Sequence, residues 1–161
     1  MKHMEAFGGN EASTKAGLGV GTTTTLTTAN VQQWSIKGIA YTKAATSNEA
    51  TPTTDSMTAA AFLPVAANKA CVFTICRDTS GGLKAIQGQI VDNPAVGGVV
   101  HGPWYGPDLS TLAPIGSVLV KCGATASAWT FGASNFAGPP TGVTFAFEDW
   151  AGGVAPRPRA S

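Results

Sequence analysis

Residues 71–91 read Cys71-Val72-Phe73-Thr74-Ile75-Cys76-Arg77-Asp78-Thr79-Ser80-Gly81-Gly82-Leu83-Lys84-Ala85-Ile86-Gln87-Gly88-Gln89-Ile90-Val91, and this stretch decides the fold. Two apolar runs, 71–76 and 83–91, flank an Asp-Thr-Ser-Gly-Gly cluster. Asp and Ser supply side-chain bonds to nearby backbone, and glycine supplies the positive φ that tight turns need. A β-hairpin is the expectation. Outward from it, Ile115 to Cys122 is a continuous apolar run, the mark of a central strand covered on both faces. Val143, Phe145 and Phe147 alternate with Thr144, Ala146 and Glu148, the period of a half-buried strand. Gly123-Ala124-Thr125 turns into Ser127 to Phe131, a strand that puts Trp129 and Phe131 on one face. Toward the N-terminus, Trp34 to Tyr41 reads as a strand whose apolar parity switches at Gly38, which predicts a bulge there. Ser47 to Asp55 reads as a polar loop. Short strands joined by Gly/Pro turns, with no helical period, predict an all-β fold: an antiparallel β-sandwich or barrel over 31–150.

Composition agrees. The 161 residues include 20 Gly, 10 Pro and 20 Thr, which together disfavour helix and suit pleated surfaces. Apolar residues are 43% of the chain, enough for a core. Charged residues are only 12%, about half the ~25% usual for soluble domains. A net charge of +1 gives no field to gather nucleic acid or an anionic membrane. No apolar run reaches the ~18 residues of a membrane span. Residues 1–30 are rich in Gly and then in Thr, with few large apolar side chains. They are expected to be an extended N-terminal arm that orders against a neighbouring subunit. Residues 151–161 form a short Pro/Arg C-terminal tail, and Asp92 to Pro114 is a long Pro/Gly loop of the kind that serves an interface or a site.

The chemistry-bearing residues are sparse. Cys71, Cys76 and Cys122 are odd in number, and the first two fall on opposite faces of a strand, so they read as buried thiols of a protein made in a reducing cytoplasm. Gly8-Gly9-Asn10-Glu11 stands where a secretory signal would carry its apolar core. His3 and His101 lie at no metal-ligand spacing, and serine-nucleophile and phosphate-loop motifs are absent, so neither metal nor cofactor is expected. Asp92 and Asp108 bracket the long loop, but beside prolines they read as turn formers rather than an acid pair. The chain does not read as an enzyme. The candidate partner-binding residues are Trp104 and Tyr105, held between chain breakers at 101–107, and Arg157 and Arg159, whose guanidinium groups suit carboxylates on a neighbour. So little charge on one chain fits a subunit whose exterior is covered by other protein.

A resemblance follows from the Thr/Ala/Gly-rich texture of Leu26-Thr27-Thr28-Ala29-Asn30, Gly38-Ile39-Ala40-Tyr41-Thr42-Lys43-Ala44-Ala45 and Ala50-Thr51-Pro52-Thr53-Thr54-Asp55, and of the segments 129–132 and 143–147. Over residues 26–150 the chain resembles the small all-β virion proteins of tailed bacteriophages, and most of all their capsid decoration (cement) proteins. The resemblance implies a structural protein of the virion, made in the host cytoplasm, that binds the major capsid protein and copies of itself, often as a trimer. Tail- or fibre-associated modules that bind host glycans are similar in texture and are the alternative. No functional residue is defined by motif in this group, so none is carried over.

Overall fold

The computed structural model describes residues 10–97 and 111–151. Every strand pairing among them is antiparallel. The strands are β1 (Glu11–Ala12), β2 (Leu18–Val20), β3 (Thr25–Thr28), β4 (Gln32–Ile36), β5 (Ile39–Lys43), β6 (Thr46–Ala50), β7 (Lys69–Arg77), β8 (Leu83–Gln87), β9 (Val91–Asp92), β10 (Ala113–Cys122) and β11 (Val143–Asp149). The principal sheet has the order β11-β10-β7-β8, with β9 also on β7; two three-stranded sheets, β1-β4-β5 and β2-β3-β6, complete the fold. No sheet closes on itself. The architecture is sandwich-like, and the barrel is excluded.

The 71–91 hairpin forms as expected. Arg77 pairs with Leu83, and Asp78 organises the turn. Its Oδ1 accepts the N–H groups of Ser80 at 2.9 Å and Gly82 at 2.8 Å, and the Ser80 hydroxyl at 2.6 Å. β7 and β10 are central, which explains their unbroken apolar character. Phe73 lies opposite Val118 and Cys71 opposite Val120, and both pairs belong to the main core. On the other face of β7, Ala70 and Val72 pack with Leu119 of β10. Between Pro114 and Gly116 the register shifts, as a residue without an N–H requires inside a ladder. β11 alternates as its sequence predicts, with Phe145 and Phe147 turned to the core. Phe131 sits amid the aromatic cluster: its ring centroid is 4.8 Å from Phe73, 5.0 Å from Phe62, 5.7 Å from Phe136 and 6.0 Å from Trp129.

Four local expectations are corrected. Trp34 to Tyr41 is not one bulged strand but the β4–β5 hairpin. Lys37 (φ 51°) and Gly38 (φ 76°) form its two-residue turn, with Ile36 opposite Ile39. Positive φ at both positions is the signature of the turn whose twist matches a hairpin, and the chain reversal itself produces the parity switch. Ser47 to Asp55 is not all loop, because Thr46–Ala50 pairs with β3 as β6. Ser127 to Phe131 forms no ladder strand; Trp129 makes one isolated bridge to Val65, although Trp129 and Phe131 do share the core. Finally, residues 10–30 are built into the domain instead of extending from it. Ala12, Ala16, Leu18 and Leu26 enter the main core, and the Thr run pairs with the chain's own β6. Glycine at 116 makes room for this: a Cβ there would lie 2.4 Å from Leu18 Cδ1 and 2.3 Å from the Glu148 carbonyl oxygen. The Leu18 N–H is held by Asp149 Oδ1 at 2.9 Å.

Gly132 and Gly138 both have positive φ, 74° and 64°, but differ in space. A Cβ at Gly132 would meet the Pro52 carbonyl oxygen at 2.2 Å, whereas at Gly138 nothing lies within 4 Å. Gly132→Ala is therefore expected to cost about 1–3 kcal/mol more than Gly138→Ala, the overpacking cost added to a shared left-handed penalty. Urea unfolding of the two variants measures the difference.

Candidate functional site

Strand period places Arg77 on the same face of β7 as Cys71, Phe73 and Ile75, so the guanidinium enters the interior, and Arg77 is fully buried. A charge so placed must be paired and hydrogen-bonded. Glu49 of β6 meets it in fork geometry, with Nη1 on Oε1 and Nη2 on Oε2, both at 2.6 Å. Arg77 Nε donates to Gln32 Oε1 of β4 at 2.9 Å, and Nη1 also donates to the Gly81 carbonyl at 3.0 Å. Lys43 of β5 adds Nζ to Glu49 Oε1 at 2.5 Å and to the Gly81 carbonyl at 2.9 Å. One junction thus joins all three sheets and the hairpin turn. Gln32 lies opposite Lys43 in the β4–β5 register and is 1% exposed, yet its Nε2 has no hydrogen-bond partner among the described residues. An unsatisfied buried donor of this kind costs about 1–3 kcal/mol.

Burial by itself would raise the Glu49 carboxyl; hydrogen bonds from Arg77 and Lys43, with their charges, outweigh it and hold the group below its ordinary 4.5. The thiols behave oppositely. Burial pushes Cys71 up to about 12 and raises Cys76 and Cys122 as well, and all three are buried and free. Cys71 and Cys76 do lie on opposite faces of β7, in separate apolar clusters.

The residues singled out by sequence fare differently. Trp104, Tyr105, Arg157 and Arg159, together with His3, His101 and Asp108, lie outside the described residues. Asp92 pairs with Lys69 at 2.6 Å on the surface, where both side chains are substantially exposed. Among the described residues, no three His, Cys, Asp or Glu side chains converge as metal ligands. A shallow cleft of 320 Å³ on the β1-β4-β5 sheet is lined by Ser13, Gln33, Ser35, Ala40 and Thr42 beside Trp34 and Tyr41, whose rings stack at 5.8 Å. The junction of Arg77, Glu49, Lys43 and Gln32 was missed. Parity along β7 was the available signal, since Arg77 continues the inward set Cys71, Phe73, Ile75. Outside the junction, Val31, Ile39 and Leu63 are the most exposed large apolar side chains among the described residues, and Ile39 lies on β5, the last strand of its sheet. No family model, curated protein or solved structure matches this chain.

Glu49→Ala leaves Arg77 buried without its counter-ion and is expected to cost about 3–5 kcal/mol, while Arg77→Met combined with Glu49→Leu recovers much of that loss. Chemical denaturation measures both. Because the Glu49 carboxyl is held low in the folded state, its contribution is complete above pH 4.5 and fades as pH falls through the lowered value. Glu49→Gln should flatten that acid limb. For the thiols, a disulfide reagent at neutral pH is expected to find none reactive in the folded protein and three after unfolding in guanidinium, followed spectrophotometrically.

Proposed function

We propose that this protein is a structural subunit of a virion, a decoration or cement type of protein that binds a bacteriophage capsid lattice and reinforces it. The observation that carries the reading is where its few charges go. Seven cations and seven anions fall within the described residues, and of these Arg77 and Asp55 are buried while Lys43 and Glu49 are turned into the junction. Asp55 holds the 55–58 turn through the Met57 and Thr58 N–H groups and clamps it to β8 through Gln87 N–H. The surface of the described residues is left poorer in charge than their sequence suggests, with Val31, Ile39 and Leu63 more than half exposed. A surface of hydroxyls, small side chains and isolated apolar groups suits repeated, modest contacts with neighbouring protein, which sum to avidity over an oligomer. Lys43, the charged residue that would guard edge strand β5 against pairing, faces inward. Trp104, Tyr105, Arg157 and Arg159, outside the described residues, are the side chains assigned to contacts with the major capsid protein and with other copies.

Light scattering is expected to give an oligomer, a trimer by preference. Co-sedimentation with undecorated capsids is expected to saturate, and to weaken on removal of residues 1–9, a truncation that spares β1. A monomer that sediments with no capsid would overturn the reading.

A further inference from the structure

The junction holds on neighbouring strands an amine, a carboxylate and a carboxamide, the groups an amide exchange needs. Lys43 offers a primary amine whose Nζ rests on Glu49 Oε1 at 2.5 Å, a carboxylate placed to take its proton. Gln32, its register partner across the β4–β5 ladder, offers a carboxamide in a nearly water-free setting. The Gln32 Oε1 already accepts Arg77 Nε–H at 2.9 Å, so a cation stands where negative charge would develop on that oxygen. The amide orientation is fixed by this donor, because only an oxygen can face an N–H. The Nε2 amino group, which would depart, has no hydrogen-bond partner among the described residues. The junction also sets two cations, Arg77 and Lys43, against the one carboxylate of Glu49.

We infer that Lys43 and Gln32 join spontaneously into an isopeptide cross-link between β4 and β5. Glu49 takes a proton from the Lys43 ammonium, an uphill transfer because Arg77 and Lys43 hold that carboxyl below its ordinary value and one that makes the reaction slow, and the freed lone pair attacks Gln32 Cδ. A C–N bond forms and the carbonyl π electrons move to Oε1, facing Arg77. The attacking nitrogen passes one proton to Nε2; the carbonyl re-forms, the Cδ–Nε2 bond breaks, and ammonia leaves. Ammonia carries off the proton on Glu49 as ammonium, and the carboxylate is restored. No oxidant, reductant or second substrate enters. The product replaces the orphaned amino group with an amide, converts the surplus cation into a neutral group, and leaves Arg77 and Glu49 balanced one to one. Gln32 and Lys43 lie at the end of the hairpin away from the Lys37-Gly38 turn, so the bond clamps the open end of edge strand β5. The inference does not rest on the proposed capsid role.

Mass spectrometry of the full-length folded protein, aged at neutral pH, decides it. The intact mass is expected to be lower by one ammonia. Trypsin is expected to spare the bond after Lys43 and release a branched peptide joining residues 16–37 to 38–69. Lys43→Arg, which keeps a cation on Glu49 but has no amine to acylate, should keep its full mass, with folding checked by circular dichroism. A wild-type protein of full mass after ageing, or ammonia loss that persists in Lys43→Arg, overturns the inference. If Lys43→Arg does not fold, the branched peptide alone decides, present or absent.

Discussion

The Arg77–Glu49 pair is the constraint around which the three sheets are arranged. A guanidinium fully removed from water loses several kcal/mol of hydration unless its donors are met, and an isolated attraction rarely repays that. Here the donors are distributed: two to the Glu49 carboxylate, one to Gln32 and one to the Gly81 carbonyl. Each acceptor belongs to a different piece of the fold. Shifting any sheet by one residue would turn Glu49 or Gln32 outward and leave the charge unmet, because side chains in strands alternate. Apolar packing supplies most of the stabilisation and already favours this register, since a one-residue slip would turn the buried apolar set outward as well. The ion pair adds a second penalty against the same slip.

The main core is built at the other end of the same strands. Phe73 and Phe131 stack with an interplanar angle of 25°, and Trp129 meets both edge-on. The Trp129 ring has its polar handle met, its Nε1 donating to the Asn135 carbonyl at 3.1 Å. An irregular 123–142 segment can hold such large rings because a loop places each one independently, whereas a ladder would fix them two residues apart. The packed rings anchor this region together with a few backbone bonds, Trp129 to Val65 and Phe136 N–H to the Thr23 carbonyl among them.

How much of this could be read from residues alone depended on whether the signal was local. The 71–91 hairpin, β10 and β11 were legible because burial on one or both faces writes period two or continuous apolarity into the chain. The Lys37-Gly38 turn was locally marked too, but one Gly in an apolar run fits a bulge as well as a reversal, and only pairing separates them. β6 was invisible: Ser47-Asn48-Glu49 has little strand propensity, and tertiary pairing with β3 overrides it. Residues 1–30 misled by composition, since Phe7, Leu18, Val20 and Leu26 looked too few large apolar side chains to order them. Backbone pairing and placement against Gly116 made up for their number. Arg77 was countable on parity, but its partners lie 28 and 45 residues away in sequence, and no local pattern names them.

The three cysteines have a consequence beyond packing. Because no sulfur is bonded to another and each is sealed from solvent, the covalent framework is identical in a reducing and an oxidising medium. The topology needs no maturation by oxidation and offers no bridge for a reductant to cut. Its endurance is set by how seldom the sandwich opens, a kinetic property rather than a redox one.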